Sequence, residues 1–308
     1  MKHFLVVNPG SANGETGRKW PELAARVGRA LGDFQHAFTS GPMDAARVAR
    51  RALEEGNECV IAVGGDGTIN EVVNGFFDDD GRPLNPRATL GVVPRGTGGD
   101  FGKTFDWGAE LDAALKRIGS GALRTLDVGR AEFEDLEGRR TSRFFLNICS
   151  FGVSGLVDQE VNKRSKALGG KLSFMLGSAR AMLKYADRRV RMSWDGGAPE
   201  EFSITNVAVA NGKYFGGGMK VAPDADPGDG IFDVTVWSGY SIVDFALKQK
   251  SIYSGDHVNL PGTRQFRCRE LVAESVDGSE VLLDLDGEQP GRLPCRLSLI
   301  PGALRLKT

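Results

Sequence analysis

The segment that most constrains the fold of this chain is a glycine turn between an apolar run and a helical pattern. Residues 59–63 are all apolar, Gly64-Gly65-Asp66-Gly67-Thr68 follows them directly, and a helical pattern continues over 69–77. We interpret the apolar run as a buried strand. A strand that passes through such a turn into a helix directs free backbone N–H groups and the positive end of the helix dipole at one point, where a phosphate can bind.

Two side chains of this segment carry further information. Thr68 and Glu71 have the spacing of a capping box, which predicts that the helix starts at Thr68. Asp66 is unusual, because a carboxylate repels a phosphate unless a cation bridges the two or the acid takes part in the chemistry. Both explanations of Asp66 stay open at this point.

The first 125 residues alternate between strand and helix patterns, which predicts a doubly wound α/β domain with a parallel sheet. Strands are predicted at 3–7, 35–39, 59–63 and 89–93, and helices at 18–31, 44–55, 68–77 and 110–118. Ligands bind such sheets at the carboxyl ends of the strands. Glycine-bearing turns follow three of these strands, at 8–14, 64–68 and 96–99.

Beyond about residue 126 the pattern changes to short runs with glycine or proline turns, which predicts a β-sandwich domain. Strands are predicted at 144–148, 190–194, 202–210, 231–237, 264–273, 280–285 and 295–300, and helices at 156–187 and 241–253. We therefore expect an ATP-binding domain over 1–126 and a β-rich domain over 127–308. The last residues of the chain are free to return to the first domain.

Composition narrows the class of protein. A net charge of −1 over 308 residues argues against a nucleic-acid binder with a basic surface. The chain has no apolar run of about eighteen residues, so we expect no membrane-spanning helix. The four cysteines lie far apart, which is typical of buried thiols in a reducing compartment. The first apolar run ends at Asn8-Pro9-Gly10, too early for a signal peptide, so we expect a cytoplasmic protein.

Polar side chains in the glycine turns are candidate ligand contacts. Thr97 is placed to donate to a phosphate, and Asp100 to hold a metal or position a base. Asp100 is equally placed to act as a helix N-cap. Asn8 and Ser11 are either ligand donors or turn formers.

The second half of the chain holds two further polar clusters. Acidic residues crowd the loop at 224–230, which suits a divalent cation but also an ordinary surface loop. Glu288 follows Asp286-Gly287 at the end of a predicted strand. An Asp-Gly pair is usually a hairpin turn, so spacing alone gives only weak support to a catalytic Glu288.

Taken together, these motifs resemble the diacylglycerol kinase catalytic-domain family, which includes bacterial lipid kinases and sphingosine kinases. The matching segments occur in the order of the family and cover almost the whole chain. They are Asn8-Pro9 with Ser11 and Gly14, then 64–68 with Asn70-Glu71, Pro94-Arg95-Gly96-Thr97 with Asp100-Phe101, 147–152, 210–218, 226–232 and 285–288.

The resemblance implies a fold, a reaction and a set of site residues. The fold is an α/β nucleotide domain, similar to those of NAD kinase and phosphofructokinase, followed by a β-sandwich domain that holds the lipid. The reaction is transfer of the γ-phosphate of ATP, with Mg²⁺, to a hydroxyl of a lipid such as diacylglycerol or a sphingoid base. The implied nucleotide contacts are Asn8, Thr39, Gly64, Gly65, Asp66, Gly67, Thr68, Asn70, Glu71, Gly96 and Thr97.

The resemblance also implies a base and a metal site. Glu288 matches the proton acceptor of the family, and Asp66 is the second choice for that role. Asp229 matches the acidic residue of a Mg²⁺ site that groups at Asp226 and Ile231 complete, the last largely through the backbone. One position departs from the family, because Gly99 precedes Asp100 where an Asn is usual. An amide that contacts phosphate or orients Asp100 is therefore missing.

A lipid substrate requires access to a membrane, and one stretch suits it. Residues 162–191 hold nine Lys and Arg side chains against one acid, with large apolar residues between them. Such a basic amphipathic stretch is typical of contact with an anionic membrane surface, although a solvated helix face has the same pattern. We expect a peripheral membrane association, no nucleic-acid partner, and a sequence compatible with a homodimer.

Two other functions compete with a lipid kinase. A kinase of a soluble substrate, such as an NAD kinase-like enzyme, also carries a GGDGT run, but the Asn8-Pro9 turn and the Glu288 cluster argue against it. A non-catalytic nucleotide-binding protein receives slight support from Gly99, and the intact Asp66, Asp229 and Glu288 argue against it.

Overall fold

The computed structural model describes residues 2–96, 98–162 and 185–308. The chain forms two compact units, one of Met1–Val128 with Ile300–Thr308 and one of Gly129–Leu299. Within the described residues, no helix is both long enough and apolar enough to cross a membrane. All four cysteines are free and buried.

The first unit is built on a parallel sheet. Its strands are β1 (His3–Val7), β2 (Phe34–Phe38), β3 (Cys59–Gly64) and β4 (Thr89–Pro94), followed by β5 (Leu123–Asp135), which continues into the second unit. The order in the sheet is β2-β1-β3-β4, with every neighbouring pair parallel. The end of the last strand, β15 (Gly291–Lys307), adds to this sheet by pairing in parallel with β4 at Arg305 and Leu306.

Helices cover this sheet because apolar residues recur along them every three or four positions. They are α1 (Glu15–Arg18), α2 (Trp20–Leu31), α3 (Asp44–Glu54), α4 (Asp66–Asn74), α5 (Asp100–Lys103) and α6 (Leu111–Gly119). One core forms where Trp20, Leu23 and Val27 of α2 and Ile118 of α6 pack on the buried residues of β1 and β3.

The second unit contains two antiparallel sheets. Its further strands are β6 (Arg140–Phe145), β7 (Ile148–Gly152), β8 (Arg188–Trp194), β9 (Glu200–Ile204), β10 (Asn206–Ala210), β11 (Phe232–Trp237), β12 (Thr263–Cys268), β13 (Glu270–Ser275) and β14 (Leu283–Leu285). One sheet runs β15-β13-β8-β9, with β5 and β6 paired to each other, and the other runs β12-β11-β10-β7-β14.

The core of the second unit takes residues from both sheets. Phe145 and Phe232 stack there with their ring centroids 5.6 Å apart, and both are fully buried. The described helices of this unit are α7 (Val153–Asn162) and α8 (Ile242–Ser254), with a short 3-10 helix at Asp256–Asn259. The predicted fold, an α/β domain followed by a β-sandwich domain, is confirmed.

Several predicted elements have different limits in the structure. The strand expected at 144–148 is broken after Phe145, and the one expected at 202–210 is broken after Ile204. The long strand β5 was not predicted, because its charged residues obscure the apolar pattern. The predicted helix at 156–187 begins at Val153, and its part at 163–184 lies outside the described residues.

Candidate active site

The turns after β1, β3 and β4 meet at the carboxyl edge of the parallel sheet. The backbone N–H of Asn8 donates to the carbonyl oxygen of Val63 at 3.0 Å, and that of Arg95 donates to Gly64 at 2.7 Å. The Nδ2 of Asn8 donates to the Oγ1 of Thr68 at 2.9 Å. The structure therefore brings Asn8 and the 64–68 turn into direct contact.

A second contact at this edge joins the backbone of Gly65 to the backbone of Gly96. A Cβ atom added to Gly96 would lie 2.7 Å from the Cα of Gly65, closer than real Cβ atoms come to other atoms. Gly64 is restricted in a similar way, because a Cβ there would overlap the side chain of Thr68. The glycines of the two motifs therefore allow the turns to touch.

The helix after the first glycine motif starts earlier than predicted. α4 begins at Asp66, with Gly65 as its N-cap and no side chain as a cap. The predicted capping box is wrong, because the Oγ1 of Thr68 accepts from Asn8 and the carboxylate of Glu71 accepts from the N–H of Ala45 at 3.1 Å. The N–H of Ile69 is the first to bond back, to Gly65 at 3.1 Å. The N–H groups of 66–68 precede it and have no helical acceptor in reach.

Asp66 links the first glycine turn to the second. Its carboxylate accepts from the N–H of Asp100 at 3.2 Å and from the N–H of Phe101 at 3.1 Å, at the start of α5. Burial raises the pKa of Asp66, the neighbouring Asp100 carboxylate raises it further, and the backbone N–H donors oppose the rise. The acid is therefore explained in part by a structural role, since it caps the helix that follows the second turn.

Lys103 balances the charge beside this acid. Its ammonium lies 2.7 Å from the buried carboxylate of Asp100 and donates to the carbonyl of Gly98 at 2.8 Å. Gly99, where the resemblance led us to expect Asn, adopts a left-handed conformation with φ of 64°. Gly and Asn are the residues that adopt this conformation most readily, so either residue suits the backbone at this position.

The remaining predicted nucleotide contacts differ in their surroundings. The N–H of Thr39 donates to the carbonyl of Val7 at 2.9 Å, which places Thr39 at the same edge as Asn8. Asn70 is buried, and its side-chain oxygen accepts from Asn74 at 3.1 Å. Glu71 contacts the start of α3, as described above. Thr97 lies outside the described residues.

Glu288 follows a tight hairpin in the second unit. Leu285 and Glu288 exchange backbone hydrogen bonds of 2.8 and 3.1 Å. Asp286 and Gly287 between them have φ values of 51° and 88°, as a type I′ turn requires. The side chain of Glu288 is 38% exposed, and its carboxylate lies 3.0 Å from the guanidinium of Arg143 on β6. Glu288 is thus an accessible carboxylate on a fixed turn.

The acidic loop that was predicted to bind metal is held by its own hydrogen bonds. Asp226 accepts from the N–H of Gly228 at 3.0 Å, and Asp229 accepts from the N–H of Ile231 at 3.2 Å. The other oxygen of Asp229 lies 2.8 Å from Arg267, which also pairs with Asp233. In the part of the chain that the structure describes, no three His, Cys, Asp or Glu side chains converge as a metal site would.

Two cations beside these groups, Lys103 and Arg143, were not singled out in the sequence, and the contacts of a third, Arg95, were not predicted. Lys103 is three residues after Asp100, a spacing at which helical side chains meet, so that pair was detectable. Arg95 approaches Thr16 and Glu15 at 3.4 and 3.8 Å, and Arg143 reaches Glu288 across 145 positions of sequence. Contacts over such distances leave no local signal.

Family models match both halves of the chain. Residues 2–131 match the diacylglycerol kinase catalytic domain, and residues 147–308 match the YegS C-terminal NAD kinase beta sandwich-like domain. The diacylglycerol kinase of Bacillus subtilis (strain 168) is 30% identical over 264 residues, covering 84% of this chain and 80% of that protein. This chain belongs to the diacylglycerol kinase catalytic-domain family. It is therefore an enzyme of the lipid kinase class.

Other relatives agree with this assignment. The diacylglycerol kinase of Staphylococcus saprophyticus subsp. saprophyticus is 25% identical to this lipid kinase over 291 residues, 94% of this chain and 90% of that one. The crystal structure of a candidate diacylglycerol kinase from Bacillus anthracis str. Sterne superposes with a TM-score of 0.78 at 26% identity, covering 99% of this chain and 94% of that one.

The raised pKa of Asp66 predicts a pH-dependent stability. Asp66 takes up a proton more readily in the folded kinase than in the unfolded chain, so its ionised form costs stability, and this cost disappears as the pH falls through the raised pKa. Relative to Asp66→Asn, the free energy of unfolding of the wild type should increase as the pH falls from neutral towards the ordinary Asp pKa of about 3.9. Urea denaturation of both proteins measures this. The exposed Asp33→Asn is the control, and a difference for Asp66→Asn that does not vary with pH would contradict the prediction.

Proposed function

We propose that this kinase transfers the γ-phosphate of ATP to a hydroxyl of a lipid, and that diacylglycerol is its substrate. The names of the relatives support the choice of lipid. The choice of ATP as the phosphate donor is supported by the backbone contact between Gly65 and Gly96, which lies beside the N-terminus of α4. Without side chains on the glycines, the two turns present their backbone beside the free N–H groups at the start of α4, to which a phosphate chain can bind.

The residues at this edge have distinct tasks in the proposal. The N–H groups of 66–68 bind phosphate oxygens, and Asn8 fixes Thr68 through the hydrogen bond between their side chains. Thr39 contacts the nucleotide from the neighbouring strand. Asp66 holds the second turn in place through the start of α5. Binding and orientation account for most of the catalysis expected in phosphoryl transfer.

Glu288 is the proposed general base. The lipid hydroxyl oxygen forms a bond to the γ-phosphorus while the bond from that phosphorus to the bridging oxygen breaks, which leaves ADP, and Glu288 takes the hydroxyl proton. Asp66 is the weaker choice for this role, because its carboxylate already accepts from the N–H groups of Asp100 and Phe101. The guanidinium of Arg143 donates to the carboxylate of Glu288 at 3.0 Å and orients it.

Mg²⁺ is the proposed metal, held at the 226–231 loop. The donors there are carboxylate and carbonyl oxygens, which Mg²⁺ prefers, and one or two carboxylates with water are sufficient for it. Asp229 and Asp226 would hold the ion, with the backbone at Ile231. When bound, Mg²⁺ would supply positive charge that offsets the charge of the phosphates.

A kinase assay with labelled ATP tests the proposed function. The acceptors are diacylglycerol, a sphingoid base, a long-chain alcohol and NAD, each with and without Mg²⁺. We expect label in phosphatidic acid, the product from diacylglycerol. Label only in the NAD product would favour a kinase of a soluble substrate, and tight ATP binding without turnover would favour a nucleotide-binding protein.

The contact between the glycine turns gives a prediction for ATP. Gly96→Ala forces the turns apart, so the KM for ATP should rise at least about 10-fold, the effect of about 1.4 kcal/mol of lost binding. Gly108→Ala is the matched control, because a Cβ there meets nothing within 4 Å. Isothermal titration with a non-hydrolysable ATP analogue measures the affinity directly. Unchanged affinity in Gly96→Ala would refute the assigned role of the turn.

The base gives a second prediction. Glu288→Gln should keep the KM for ATP and lower kcat by about 100-fold or more, the usual scale of general base catalysis. Steady-state kinetics over a range of ATP and diacylglycerol concentrations separates the two constants. Gln289→Glu, added to Glu288→Gln, tests whether a carboxylate at the next position can replace that of Glu288. Near-normal turnover in Glu288→Gln would rule out Glu288 as the base.

The metal loop gives a third prediction. Asp229→Asn should raise the Mg²⁺ concentration at half-maximal activity by about 10-fold or more, because the loop loses a charged oxygen donor. Asp277→Asn is the control, since Asp277 also accepts from a backbone N–H two residues on, at 3.0 Å from Ser279. Mg²⁺ titrations of both variants that match the wild type would contradict the assignment.

Peripheral membrane association through 162–191 and a homodimer both stay predictions. Of that basic stretch the structure describes 185–191 and Asn162, and the remaining residues lie outside the described part. Pelleting with anionic and neutral vesicles at low and high salt tests the membrane contact, and binding that ignores both variables would contradict it. Sedimentation equilibrium tests the dimer.

A further inference from the structure

Asp286, in the turn before Glu288, makes more contacts than a turn residue requires. Its carboxylate accepts three consecutive backbone N–H groups, from Leu146 at 3.0 Å, Asn147 at 3.1 Å and Ile148 at 2.8 Å. Its own N–H donates to the carbonyl of Ile148 at 3.0 Å. The hairpin is therefore tied to the chain between β6 and β7 by four hydrogen bonds.

The segment that Asp286 holds, residues 146–148, also forms hydrogen bonds with the loop that follows β10. The carbonyl of Asn147 accepts from the N–H groups of Asn211 and Gly212 at 2.8 and 2.9 Å. The side chain of Asn211 donates to the carbonyl of Leu146 at 2.8 Å. Asp286 thus joins the hairpin to a cluster of loops at the ends of β6, β7 and β10. The break between β6 and β7 is explained here, since these N–H groups bond to a side chain and not to a strand.

The turn alone does not demand a carboxylate at this position. A type I′ turn needs φ above zero at both central residues, and Asn serves as well as Asp there. Three converging N–H donors are different, because they require an acceptor with several lone pairs. An ionised carboxylate offers about four acceptor sites, whereas an amide replaces one oxygen with a donor. The three N–H groups of Leu146, Asn147 and Ile148 therefore explain why the residue is Asp and not Asn; we call their hydrogen bonds to the Asp286 carboxylate the clamp.

We propose that Asp286 is a positioning residue for Glu288. Only Gly287 separates them, so a clamp on Asp286 fixes the backbone from which the carboxylate of Glu288 projects. A second acid steadies the same turn, since Asp284 accepts from the N–H of Gly287 at 2.9 Å. Arg143 holds the other end of Glu288. The inference rests on the proposed role of Glu288 as the base.

The chain offers a matched control for the test. Asp195 also has φ above zero, at 48°, and precedes a glycine, Gly196, with φ of 74°. Its carboxylate accepts from the N–H groups of Arg269 and Glu270, both at 2.9 Å. Its own N–H donates to the carbonyl of Glu270 at 3.1 Å. Both bonds end on the same carboxylate oxygen, which an Asn would keep. Asp195→Gly therefore removes the same kind of contact without a neighbouring Glu288.

The first measurement compares Asp286→Gly with Asp195→Gly, which keep φ above zero and remove each carboxylate. We expect both to lower the melting temperature, and only Asp286→Gly to lower kcat, by about 10- to 100-fold, the cost of a base displaced by about 1 Å. The KM for ATP should stay within about twofold, because the nucleotide turns are untouched. If Asp286→Gly does not fold, Asp286→Asn, which keeps one of the two accepting oxygens, replaces it in the same comparison.

The second measurement repeats the substitution in Glu288→Gln. A residue that acts only through Glu288 has nothing left to position, so Asp286→Gly should lower kcat no further there. An equal loss in both backgrounds, or an unchanged kcat in the wild-type background, would overturn the inference. Full activity of Glu288→Gln alone would instead refute the proposed base. The two failures are therefore distinguishable.

Discussion

The contact between Gly65 and Gly96 is the constraint on which the nucleotide edge of the first unit depends. It exists because β3 and β4 are parallel neighbours in register from Cys59 to Gly64, so the turns that follow them emerge side by side. Any side chain at Gly96 would separate them. Asp66 then uses this proximity, because only touching turns let a carboxylate on one cap the helix that leaves the other.

The fold was largely predictable from the sequence, because apolar periodicity reports burial directly. The run at 59–63 and the spacing of Ala45, Val48 and Ala52 mark a strand and a helix without any tertiary information. β5 was missed, since Arg124, Asp127, Arg130 and Glu132 interrupt its pattern. The break after Phe145 was missed for another reason, because a carboxylate some 140 positions away takes the N–H groups that would continue the strand.

The candidate site was predictable in its glycines and acids but not in its pairings. Thr68 and Glu71 have capping-box spacing, yet each finds a more distant partner in Asn8 and Ala45. The helix already starts after Gly65, about one turn earlier. Thr68 and Glu71 therefore lie within the helix and form tertiary hydrogen bonds in place of a capping box. Nothing in the sequence marks Arg143, because its role depends on an ion pair with Glu288, which is distant in the sequence.

The burial of all four cysteines has a practical consequence for this enzyme. Burial raises the pKa of Cys268 and of Cys295 to about 12 and also raises that of Cys59, so few thiolates are available to a reagent while the protein is folded. The rate at which a thiol reagent labels each cysteine therefore reports how often its surroundings open. The labelling rate of Cys59 reports opening of the parallel sheet, and the rates of Cys268 and Cys295 report opening of the sandwich.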